Sequence, residues 1–168
     1  MTGYFGKMSG GATAAATADL REALVSGLGG LLGICVCSYL SMTSGYPWLT
    51  APFGATCALI FGAHRAPLAQ PRNVVGGYLV SACAGLLVQA VFGHTWWSLG
   101  LGAGLAIFGM ALGRVLHPPA GGVPIVIITA GADWLFIVRP VLIGSVVLVM
   151  VAVAYNNLFR NRRYPEYW

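Results

Sequence analysis

The sequence predicts an all-α integral membrane protein of about six segments, two of them short broken helices, arranged as two inverted three-segment repeats. Three observations carry that expectation. Hydrophobic residues make up 58% of the chain and charged residues 8%, against roughly 25% charged in a soluble globular domain. Several runs approach the ~20 apolar residues that a helix needs to cross ~30 Å of hydrocarbon. The chain also matches itself at an offset of 67 residues, around two proline- and glycine-containing motifs.

The amino-terminal MTGYFGKMSGGATAAATADL lacks the apolar core and cleavage site of a signal peptide and reads as a polar tail over 1–20, helical from Asp19 onward. A membrane domain follows over 21–159, with repeat one at about 21–92 and repeat two at about 93–159, and then a short tail over 160–168. Within it, helices are expected at 21–41, 73–92, 97–113 and 139–159, with short apolar segments at 51–63 and 119–131. Breaks fall at TSGYP, HRAPLAQP, GHTWW, HPP and GADW, where turn chemistry places them. The 24 glycines suit close helix packing in lipid, so SGLGG, GLGAG and LIGS are expected contact surfaces, and a homo-oligomer is compatible with them.

The basic residues test whether the short segments cross. With six crossings and a cytoplasmic amino terminus, Lys7, Arg21, Arg65, Arg72, Arg114, Arg160, Arg162 and Arg163 all face the cytoplasm. Only Arg139, near Asp133, lies outside. Re-entrant hairpins would instead put Arg65 and Arg72 outside. The bias favours crossings with both termini cytoplasmic, in a bacterial inner (plasma) membrane. A segment of about 13 residues reaches only ~20 Å, so each short helix must begin inside the membrane.

The repeat aligns LTAPFGATCALIFGA (49–63) with LHPPAGGVPIVIITA (116–130), matching Pro52 with Pro119 and Gly54 with Gly121, and continues without a gap through Arg72 with Arg139 and Gly77 with Gly144. Three crossings per repeat make the second copy inverted, an architecture that builds a midplane site from paired broken helices. Thr50 and His117 stand where a capping side chain would stand, each close before an early proline. The unpaired amides at the two helix starts, opened by Gly54, Gly121 and Gly122, would converge on one volume suited to a small anion. That avoids a fixed charge in hydrocarbon. Packing kinks are the simpler reading of APFGA and HPPAG taken singly.

His117 is either a helix cap or a substrate ligand able to carry a proton. His64 and His94 fall at interfaces and carry no such suggestion. Cys35, Cys37, Cys57 and Cys83 lie in apolar runs without metal-ligand spacing and read as small core residues, so no metal and no cofactor are expected. Asp19, Glu22, Asp133 and Glu166 sit at segment ends or in tails, leaving no carboxylate for a membrane relay. Arg65 and Arg72 on one side and Arg139 on the other could draw anions to two entrances. The final NNLFRNRRYPEYW reads as an interfacial anchor for the last helix.

APFGATCALIF, PLAQPRNVVGG, RVLHPPAG and NNLFRNRRYPEYW together resemble the successive signatures of the HPP family of integral membrane proteins, over about 48–168. Its plant chloroplast members are associated with nitrite transport. The resemblance implies nitrite as substrate, whereas the residues alone reach only a small inorganic anion. By motif it adds Pro52, Phe53, Gly54, Ala55, His117, Pro118, Pro119, Ala120 and Gly121 as site residues. The expected partners are therefore the anion and the lipid bilayer, with no nucleic acid and no enzymatic activity. The alternatives are a non-transporting scaffold and a redox or cofactor-binding subunit, the latter disfavoured because the three histidines fall at segment ends.

Overall fold

In the computed structural model, residues 19–46 and 48–168 are described, and the amino-terminal tail with Lys7 lies outside them. Six α-helices follow one another: α1 (Leu20–Ser44), α2 (Ala51–Gly62), α3 (Pro71–Phe92), α4 (Trp96–Leu112), α5 (Val123–Ala130) and α6 (Ile143–Asn156). Three apolar stretches are long enough to cross a bilayer: Leu20–Ser44, Pro71–Phe92 and Trp134–Asn156. Ala51–Gly62, Trp96–Leu112 and Pro118–Ala130 are the shorter ones. The chain is an all-helical integral membrane protein, as its composition predicts.

Local chemistry sets the ends. The Asp19 carboxylate accepts from the Arg21 amide and starts α1, while Gly45, in the left-handed region, stops it. Thr95 and Ser98 form a reciprocal capping box at α4. The segment expected at 119–131 is a composite: a 3₁₀ turn over Pro118–Gly122 leads into α5, whose start is set by Pro124. The last helix begins late for a similar reason. Arg139 is extended ahead of Pro140, so the regular helix starts only at Ile143, after the tight turns that run from Trp134.

Successive helices alternate in direction. The Gly29 and Gly33 positions of α1 lie against Phe61 and Cys57 of α2, and Ser41 near the end of α1 accepts from the Trp48 amide just before α2, so these two run antiparallel. Along α3, Gly77 meets His117, Gly85 meets Pro124, and the Gln89 amide nitrogen donates to the Ala132 carbonyl, so α5 runs parallel to α3. The same logic sets α4 and α6 antiparallel to α3: Gly109 faces Val80 and Gly102 faces Val88, while Tyr164, bonded to Asn157 at the end of α6, donates to the Ala69 carbonyl just before α3. Thus α2 and α5, the two short helices, point in opposite directions. The HRAPLAQP and GADW loops lie at opposite ends of the bundle.

The expected glycine contacts are half right. Gly29, Gly102 and Gly144 face neighbouring helices closely, but among the described residues nothing lies within 4 Å of a Cβ at Gly27, Gly30, Gly100 or Gly104. The cysteines need a similar correction. Cys37 and Cys57 are core residues, whereas Cys35 and Cys83 project outward, because each lies on the lipid-facing side of a helix only partly covered by its neighbours.

The carboxy-terminal tail also departs from expectation. Arg162 is buried, not interfacial: its guanidinium donates to the Phe61 carbonyl, the Asn156 side-chain oxygen, the Glu22 carbonyl and carboxylate, and the Ser26 hydroxyl. With every donor direction occupied and an ion pair of 2.6 Å to Glu22, burial of this charge is offset. One residue thereby ties the start of α1 to the ends of α2 and α6. Beyond it, the Tyr164 hydroxyl donates to the Ala69 carbonyl, the Glu166 amide to the Gln70 side chain and the Tyr167 hydroxyl to the Pro67 carbonyl. The tail therefore fastens down the loop between α2 and α3.

Candidate functional site

His117 is fully buried and makes two hydrogen bonds. Its Nδ1 lies 2.8 Å from the Leu68 carbonyl oxygen and its Nε2 2.9 Å from the Thr56 hydroxyl. A carbonyl can only accept, so Nδ1 carries the proton and Nε2 accepts from Thr56. The Thr56 oxygen in turn lies 2.8 Å from the Tyr78 hydroxyl and, having spent its own hydrogen on His117, accepts from it. A directed chain results: Tyr78 to Thr56 to His117 to Leu68. It joins α2, α3 and the HPP turn through groups buried inside an apolar bundle.

The backbone delivers His117 to this position. After α4, Arg114 adopts the left-handed region, sparsely populated for a residue with a side chain, and the chain doubles back beneath α3. The Asn73 side-chain Nδ2 donates to the Leu116 carbonyl and fixes the approach. Gly77 makes room, since a Cβ there would stand 2.8 Å from the His117 Cβ and 2.9 Å from the Val115 carbonyl oxygen. The Tyr78 ring is flanked by Phe53, edge-on at 5.2 Å, and by the His117 imidazole at 5.6 Å.

The two breaks pass side by side. Pro52 stands against Gly122, where a Cβ would lie 3.6 Å from the proline ring, and Ala55 shares an outward groove with Pro118 and Pro119. These contacts are reciprocal under the 67-residue offset, which carries Pro52 to Pro119 and Ala55 to Gly122. A second pair behaves likewise. A Cβ at Gly77 would meet the Val115 carbonyl oxygen, and one at Gly144 the Trp48 carbonyl oxygen; the same offset takes Gly77 to Gly144 and Trp48 to Val115.

Other predicted site residues lie elsewhere. Gly54 faces outward with nothing within 4 Å of a Cβ, and Gly121 turns toward Ile107 of α4. Phe53 is a core side chain, and Ala120 is fully buried. The Phe53 amide donates to the Thr50 carbonyl and the Ala120 amide to the His117 carbonyl, so neither is open to a ligand. Neither Thr50 nor His117 caps its helix through a side chain. His117 has turned to Thr56 instead, and the Thr50 hydroxyl is buried without a hydrogen-bond partner among the described residues.

Of the three entrance arginines, Arg65 and Arg72 are exposed and Arg139 is half-buried. Arg65 donates to the Asn161 carbonyl of the tail at 2.7 Å. Arg139 stacks over the Tyr46 ring at 4.1 Å, while Asp133 caps the Leu135 amide. Arg72 lines the α3/α6 groove beside Trp168. Sequence reasoning missed Thr56, Tyr78 and Asn73. Their signal was present as the only hydroxyl in ATCALIF and as the polar and small face Asn73, Gly77, Ser81, Gly85 along α3.

Comparison with known proteins adds a family. The pattern described as HPP, transmembrane region, matches residues 15–165. A transmembrane protein of Dictyostelium discoideum is 35% identical over 98% of the chain, and a second from the same organism is 31% identical over 89%. The chain spans 57% of the length of each. No solved structure matches it.

Proposed function

Because the chain belongs to the HPP transmembrane family, we propose that it forms the membrane-embedded unit of a transporter for a small inorganic anion, with nitrite the favoured substrate. One observation carries the reading: a buried, directed polar chain sits where two oppositely pointing broken helices pass. Polar groups placed inside a membrane bundle cost free energy unless they are paired or used, and intramembrane polar residues mark substrate paths.

The two reciprocal contact pairs support an inverted repeat, and that repeat gives His117 a counterpart. The offset takes it to Thr50, Thr56 to Val123 and Tyr78 to Ser145. On one side of the pseudo-axis the polar positions satisfy one another. On the other, Thr50 holds a hydroxyl unpartnered among the described residues and ready to donate to an anion oxygen.

Proton coupling follows from the direction of the chain. A proton added at His117 Nε2 turns that atom into a donor and frees the Thr56 hydrogen; turned onto Tyr78, that hydrogen reverses the chain and releases the Tyr78 hydroxyl. That hydroxyl then seeks an anion. Uptake of a proton and recruitment of nitrite are thereby linked without any carboxylate. The arginine distribution supports an orientation with both termini in the cytoplasm of a cell whose plasma membrane holds the protein.

The test is nitrite flux into proteoliposomes, with nitrate, formate and chloride as competitors. Thr56→Val, which keeps shape but removes the relay hydroxyl, is expected to abolish the pH dependence of uptake. Flux of the folded variant with an unchanged pH profile would make the polar chain a structural element, and absence of nitrite flux in wild type would return the protein to the scaffold reading.

A further inference from the structure

Outside the polar site, the bundle carries an apolar groove of about 570 Å³ between α3 and α6. It is lined by Val75, Val149 and Val153, which are buried or half-buried, and by the exposed Val146 and Met150. The span from Val146 to Ala154 gives it a length of about 12 Å along the helix axis. The rim has a different chemistry. Arg72, in the first turn of α3, and Trp168 both line the groove. Both side chains are exposed, and among the described residues the one side-chain ion pair is Arg162 with Glu22, so the Arg72 charge is uncompensated.

The arrangement runs from cation and indole to hydrocarbon in the sense that a bilayer leaflet runs from phosphate to acyl chain. An indole prefers the headgroup level, and a guanidinium offers paired donors to phosphate oxygens. We propose that this groove binds one anionic phospholipid, its phosphate on Arg72 and an acyl chain laid along Val75, Val149 and Val153. A zwitterionic lipid would fill the same apolar groove but carry no net charge to match the arginine. Attraction near the surface is worth about 1 kcal/mol per basic residue, which corresponds to about a fivefold preference.

Phospholipids with brominated acyl chains quench nearby indole fluorescence, which makes Trp168 a reporter. The full chain in phosphatidylcholine vesicles is titrated with brominated phosphatidylglycerol and, separately, with brominated phosphatidylcholine. Quenching of wild type that is lost in Trp168→Phe isolates the groove signal, and that signal is expected to favour the anionic lipid about fivefold. Arg72→Gln is expected to erase the preference, and Ala154→Trp, which fills the groove from an exposed position, to lower native-mass retention of both lipids. Arg160→Gln, a charge change elsewhere on the surface, is expected to leave the preference intact. Equal quenching by both lipids, a preference surviving in Arg72→Gln, or an equal loss in Arg160→Gln overturns the proposal. So does an Ala154→Trp variant that changes oligomeric mass while retaining lipid, which would assign the groove to a second copy of the chain.

Discussion

His117 Nδ1 donates to the carbonyl of Leu68, 49 residues earlier, across 2.8 Å. Leu68 lies in the loop that the tail holds through Ala69, Gln70 and Pro67. The orientation of the histidine ring is thus coupled to the last residues of the chain, and the HPP motif and the terminal RNRRYPEYW belong to one construction.

Arg162 is the anchor of that construction. Arg162→Gln leaves the Phe61 and Glu22 carbonyls and the Asn156 oxygen short of donors, and is expected to destabilise the protein by about 3 kcal/mol. Glu22→Gln should cost about 1 kcal/mol or less, since its side chain is half exposed and solvent screens the pair. Thermal unfolding of both variants in detergent checks the ordering; equal losses would show that the ion pair, not the carbonyl network, carries the joint.

The glycines can be sorted by their surroundings. Gly77→Ala places a Cβ 2.8 Å from His117 and 2.9 Å from a backbone oxygen, neither of which yields easily, so the polar chain should be pushed apart. Gly54→Ala meets nothing within 4 Å. Flux is expected to collapse in the first and persist in the second, measured on folded protein. A loss confined to Gly54→Ala would instead favour exposed amides at the start of α2 as the substrate site.

How much of this was legible beforehand follows periodicity and range. Helix ends came within a few residues, because Pro52, Gly93 and Thr95 signal locally. The short second segment misled in detail, since three prolines at 118, 119 and 124 support a 3₁₀ turn before any regular helix can form. His117 was legible as a candidate, but its partners were not: Thr56 is 61 residues away and Leu68 contributes a carbonyl that any residue has. Arg162 was misread because a basic, aromatic tail has the composition of an interfacial anchor. Only the fold shows that Glu22, 140 residues distant, waits beside it.

Topology has its own measurement. In a cysteine-free background, Ala63→Cys after α2 and Trp134→Cys after α5 lie at opposite ends of the bundle. Each should react with an impermeant maleimide from a different side of the membrane. Labelling from the same side would contradict six crossings.

His64 gives a pH dependence of stability. Burial first, and then the positive charge of Arg162, hold its imidazole below the ordinary value of 6.5. The folded state therefore disfavours a proton that the unfolded chain accepts. Stability is full above about pH 6.5 and falls as pH drops through the lower folded value. The melting temperature of wild type should decline over that range, and His64→Gln should decline less. Parallel curves would assign the acid sensitivity to another group.

Nitrite uptake as a function of pH, compared between wild type and His117→Gln and corrected for protein-free vesicles, decides whether His117 carries a proton with the anion. Nitrate is run alongside, because its conjugate acid does not cross lipid at these pH values as nitrous acid does. Corrected uptake by wild type is expected to rise as pH falls and uptake by His117→Gln to be low and flat, since glutamine can replace a hydrogen bond but cannot take up the proton that reverses the Thr56–Tyr78 chain. Coincident pH profiles for the two proteins would contradict it and leave His117 a packing element at a turn.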